Sequence, residues 1–114
     1  MNKRGPFQSL VVLGESTVQG GAWLARWDER WADVMHKQLE TAQETPIRYY
    51  NAGRAATVIS RRSPGYDASS KPCAADRLDA EVIAHAPDLL VIAYGLNDMR
   101  AGMPVGDFIE ELRI

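Results

Sequence analysis

The 114 residues predict an α/β fold in which a parallel sheet is sandwiched between helices. Three apolar runs, at residues 10–13, 47–50 and 89–94, read as strands, and helical periodicity fills much of the chain between them. Each run also ends in a polar, glycine-bearing cluster: Gly14-Glu15-Ser16, Asn51-Ala52-Gly53 and Gly95-Leu96-Asn97-Asp98. In sheets of this kind ligands and chemistry gather at the carboxyl ends of the strands.

Residues 10–13, LVVL, are continuously apolar and partly β-branched, as a strand buried on both faces requires. A polar, glycine-rich loop follows over residues 14–28. Asp28 reads as a helix N-cap, with Trp31, Val34, Met35, Gln38 and Ala42 along one face. Trp23, Trp27 and Trp31 recur at the spacing of a helical face. Trp31 is expected in the core, and Trp23 either anchors the loop after Ser16 or walls a substrate pocket. The second strand, residues 47–50, is ended by Asn51 and Gly53. Residues 54–71 are polar and aperiodic, and irregular stretches of that length are often functional.

Pro72 is placed to open a helix and Pro87 to close it, with Ala75, Leu78, Val82 and Ala86 as the apolar stripe. Residues 89–94 form the strongest strand, again apolar on both faces. Pro104 begins a last helical pattern whose one side carries Val105, Phe108, Ile109 and Leu112. No repeat, low-complexity tract or linker divides the chain, so residues 1–114 read as part of a single domain.

Composition narrows the function classes. A net charge of −2 gives no footprint for nucleic acid or a polybasic membrane surface. The basic start is followed by too short an apolar run for a signal peptide, and nothing approaches the length of a membrane span. The single cysteine, Cys73, forbids an internal disulfide framework and fits a reducing compartment, so a cytoplasmic protein is expected. Cys73 itself reads as a small packed residue. His36 and His85 stand too far apart to suggest a metal site, and no cofactor motif is present.

The polar rim has the parts that ester hydrolysis by serine needs: a nucleophile and donors for the developing oxyanion. Ser16 stands just past the first strand, and Asn97 stands at the matching end of the third. A backbone N–H from the turn at residues 53–56 would supply another donor. Taken alone, a Ser-Thr pair after a strand is a cap or turn. The loop also invites a phosphate-binding reading, but it lacks the P-loop lysine and the dinucleotide spacing. Three complementary clusters in order keep the nucleophile reading beside the cap reading.

These residues carry a family resemblance. "GESTVQG", "NAG" and "GLND" resemble the first three motif blocks of the SGNH, or GDSL-type, hydrolases. The resemblance implies a flavodoxin-like three-layer α/β/α fold and hydrolysis of esters or thioesters without a metal. It makes Ser16 the nucleophile, matches Gly20 to the glycine four residues later, and makes Asn97 the oxyanion asparagine. The backbone donors it implies are Ser16 and either Ala56 or Gly53. Three departures accompany it. Glu15 replaces an aspartate; Ala56 stands where a glycine is usual, although alanine resists positive φ; and the late Asp-x-x-His block is absent from these residues. His36 is expected mid-helix and His85 at the opposite rim, so neither serves Ser16.

Arg61-Arg62 reads as a solvated loop pair rather than a clamp for an acidic substrate. The third strand, apolar on both faces, belongs in mid-sheet and would otherwise present an edge open to self-association or to a completing chain. The sequence therefore predicts the amino-terminal part of a serine esterase acting on a small ester, inactive without its base. The alternative is a catalytically incomplete protein that binds a ligand or partner at the same rim.

Overall fold

The computed structural model describes residues 6–113; the basic head of the chain lies outside them. Three parallel strands, β1 (Ser9–Gly14), β2 (Arg48–Gly53) and β3 (Leu89–Ala93), form one sheet in the order β2-β1-β3. The predicted α/β class is the observed one. β1 is central and wholly buried, and each of its Leu and Val side chains contributes about 1.5–3 kcal/mol over an exposed position.

Successive side chains of a strand point to opposite faces, and the core divides accordingly. Leu10 and Val12 pack with Ala32, Met35 and Leu39 of helix α2 (Trp31–Gln43) on one face. Val11 and Leu13 pack with Ala74, Leu78 and Val82 on the other, beneath helix α4 (Ala74–Glu81). Three short helices, α1 (Ser16–Gln19), α3 (Tyr66–Ser69) and α5 (Leu96–Arg100), occupy loops, and α6 (Val105–Leu112) ends the described chain. Among the described residues no helix is long and apolar enough to cross a membrane.

Several local expectations are corrected. The loop over residues 14–28 contains α1 immediately after Glu15. Asp28 does not cap α2: it lies in a 3₁₀ turn, Trp27–Glu29, ion-paired to Arg26, and the helix starts after Arg30. The buried face of α2 is Ala32-Met35-Leu39, one residue round from the predicted stripe. Small Ala32 lets the helix approach the sheet, and Trp31 is left 41% exposed rather than in the core. Trp23 and Trp31 share no helix, because Trp23 precedes the 3₁₀ turn and Trp31 opens α2. Pro72 precedes the α4 cap, Cys73, and Ala74 and Arg77 turn inward while Ala75 is exposed. Cys73 is fully buried, and its burial raises the thiol pKa, which disfavours the reactive thiolate.

Candidate active site

Strand register puts the three polar clusters level with one another. Gly14 pairs with Gly53 on one side and with Ala93 on the other, so the loops leaving all three strands begin at the same height. Neighbouring strands lie about 4.8 Å apart, which brings those loops together around the central one. Arg54 N–H donates to Gly14 O (3.0 Å), and Ala55 N–H donates to the Gln19 side chain of α1. A Cβ on Gly53 would lie 2.3 Å from the backbone nitrogen of Gln19, so only glycine lets β2 run this close to α1.

Ser16 is the first residue of α1 and half-buried. Its N–H has no intrahelical acceptor at that position. Glu15, almost fully buried, caps the helix by accepting from Thr17 N–H (3.1 Å) and from the Thr17 hydroxyl. The longer acid thus ties down the turn that presents Ser16. Gly20, at φ 84°, closes α1 by donating to Ser16 O (2.9 Å).

The second cluster divides its two candidate donors. Gly53 N–H is taken by Asn51 Oδ1 at 2.9 Å, an Asx turn. Ala56 is exposed, and its N–H has no partner among the described residues. Ala56 adopts φ 61°, the left-handed conformation a glycine would take. In the third cluster, Asn97 Nδ2 donates to Thr57 O (2.9 Å), which joins the loop after β3 to the loop after β2. An amide nitrogen carries two hydrogens, so one remains for a ligand. Asp98 is fully buried and accepts from Ile59 N–H (3.0 Å), a structural duty.

Beneath the rim lies a polar network that the sequence patterns did not disclose. Arg77 of α4 is buried and donates to carbonyls near the ends of two strands, Gly14 O and Ala52 O, both at 3.2 Å. It also donates to the Tyr94 hydroxyl and pairs with Glu81 (3.0 Å). Tyr94 in turn shares a hydrogen bond with Thr57 Oγ1 (2.8 Å). Burial is the main cause of the raised Tyr94 pKa, so the ring stays a neutral phenol. On a helical wheel Arg77 looks like a surface charge; a helical arginine set against three strand ends has no one-dimensional signature.

Other candidates stand apart. Trp23 is 66% exposed, its ring lying over Gly21. Arg61 pairs with Asp76, and Arg62 with Asp107 and Glu110, so both serve as surface ties between segments. His36 bonds Ile47 O (2.8 Å) and stacks on Tyr49, and His85 stacks on Tyr50. Both histidines thus sit by the entry ends of strands, opposite Ser16. A wide cleft of about 630 Å³, bordered by Arg61, Tyr66, Lys71 and Asp76, does not include Ser16. Its Arg61 and Asp76 pair with each other, and its Lys71 donates to Ala55 O.

Neither the family models nor the curated proteins give a match to this sequence. Among solved structures, the fold is similar to that of a psychrotrophic esterase, EstA from Pseudoalteromonas sp., described as inhibited by monoethylphosphonate. The TM-score is 0.63 at 24% identity, over 92% of this chain and 49% of the esterase. The chain therefore spans about half the length of that enzyme and shares with it an α/β fold built on a parallel sheet.

Proposed function

We propose that this chain carries the nucleophile and oxyanion half of an SGNH-type serine esterase. Ser16 Oγ attacks the carbonyl carbon of an ester while a histidine takes its proton. The oxyanion is held by the N–H groups of Ser16 and Ala56 and by the free hydrogen of Asn97 Nδ2. The carbonyl re-forms, the C–O bond breaks, and the alcohol leaves with the proton; water then hydrolyses the acyl-enzyme by the same steps. Gly53 drops out of the donor set because its N–H is already engaged.

The observation that carries this reading is the Asn97–Thr57 hydrogen bond, which gathers the loops of β2 and β3 beside that of β1. The fold shared with an esterase supports it. The base is assigned to residues outside these 114, in sequence or a second chain that adds strands at the edge of β3. That edge is suited to the role: Leu90 and Ile92 remain 38% and 43% exposed.

Replacing Asn97 by Ala in the complete enzyme should lower kcat about 10²–10³-fold, measured on a p-nitrophenyl ester. An unchanged kcat would remove Asn97 from the site. The second reading, a binding protein using the same rim, is favoured by the position of His36 and His85 away from Ser16. It predicts that the complete protein binds esters without turnover.

A further inference from the structure

Ala56 is held in a conformation that alanine does not choose, and the carbonyls on both sides of its Cα are gripped from the same returning segment. Lys71 Nζ donates to Ala55 O at 2.8 Å, and Ser69 Oγ donates to Ala56 O at 2.6 Å. Between them Ser70 turns the chain back at φ 57°, which sets both side chains against the loop. Lys71 forms no ion pair among the described residues, so this half-buried ammonium is directed at a peptide carbonyl rather than a carboxylate.

The peptide joining Ala55 to Ala56 is trans, because the described chain has no cis bonds. In a trans peptide the C=O and the N–H point in opposite directions. A cation fixed on Ala55 O therefore orients Ala56 N–H away from itself, and it polarises the peptide so that this N–H is a stronger donor. Ser69 fixes the next carbonyl and so the other side of the Ala56 backbone.

We propose that Lys71 and Ser69 are positioning residues, which clamp Ala56 in the left-handed conformation and aim its N–H at the oxyanion. The clamp performs the task that a glycine's own freedom would perform at that position, and it rests on the esterase reading of the rim. Lys71 touches no reacting atom; it acts through the Ala55–Ala56 peptide.

The test is a set of variants in the complete enzyme: Lys71→Met, Lys71→Arg, Ala56→Gly, and Lys71→Met with Ala56→Gly. Lys71→Met should lower kcat roughly 10- to 100-fold by misplacing one donor. KM should stay within about twofold, since the donor acts on the transition state. Lys71→Arg should retain most of the rate, and Ala56→Gly should restore most of it in the Lys71→Met background. A Lys71→Met enzyme with wild-type kcat, or a loss that glycine does not rescue, overturns the proposal. Crystal structures of the Lys71→Met, Ser69→Ala double variant read the clamp without any activity. Ala56 leaving positive φ supports the clamp even if no form hydrolyses esters, an outcome that would count against the esterase reading alone. Ala56 remaining near its present φ in that variant overturns it.

Discussion

At the scale of single residues, strand ends mark the positions proposed for the chemistry. Ser16 and Asn97 each follow an apolar run whose length fixes where the strand stops. The preference proposed for Ala56 over Gly53 was not legible, since it rests on an Asx turn that occupies one N–H and leaves the other. A left-handed alanine costs about 1–2 kcal/mol. A hydrogen bond from a charged donor contributes about 1.5–3 kcal/mol, enough to hold Ala56 where it is. Arg77 was invisible for a different reason: its acceptors come from β1 and β2, far away in sequence. Replacing Arg77 by Met should destabilise the fold by about 2–4 kcal/mol, because the carbonyls of Gly14 and Ala52 each lose a charged donor and Glu81 loses its partner. Urea unfolding measures this directly, and a loss below about 0.5 kcal/mol would show that the network under the rim is dispensable.

At the scale of elements, three strands and the principal helices were readable, but which helix face turns inward was not. On α2 both the Trp31-Val34 and the Ala32-Met35-Leu39 stripes are apolar, and steric fit against the sheet selects the second. The entry of the sheet depends on Asp88, whose carboxylate accepts from Gln8 N–H (2.9 Å) and Ser9 N–H (2.9 Å) just before β3. Those backbone donors lower its pKa, as Ile47 N–H lowers that of Glu40 at the start of β2. A depressed carboxylate pKa contributes stability that is present above the unfolded value and lost as pH falls through the folded one. Stability should therefore be level from neutral pH down to about 4.5 and fall below about 4. In Asp88→Asn that acid fall should be shallower, with lower stability at pH 7. An identical acid limb in wild type and variant, followed by thermal melts, would assign the loss elsewhere.

At the scale of the whole molecule, the sheet is covered on both faces at β1 but open beyond β3. The apolar side of α6 repeats the pattern: Phe108 packs on the core, while Val105 is 62% exposed and Ile109 and Leu112 about two-fifths exposed. The radius of gyration, 15.1 Å, exceeds the roughly 13 Å of a compact domain of this length. That openness, with the half-length match to an esterase, supports the proposal that further strands complete the sheet and deliver the base. The edge was foreseeable from the apolar third strand, whereas the exposed face of α6 was not, because periodicity reports an apolar side without saying what covers it.

If Ser16 is a nucleophile, intact mass after phosphonylation will reveal it. The complete gene product would be treated with an activated alkylphosphonate ester, weighed, and digested to locate the adduct. One phosphonyl group per chain is expected, on Ser16, and none in Ser16→Ala. A complete gene product that stays unlabelled, or is labelled elsewhere, would contradict it and leave the rim as a binding surface.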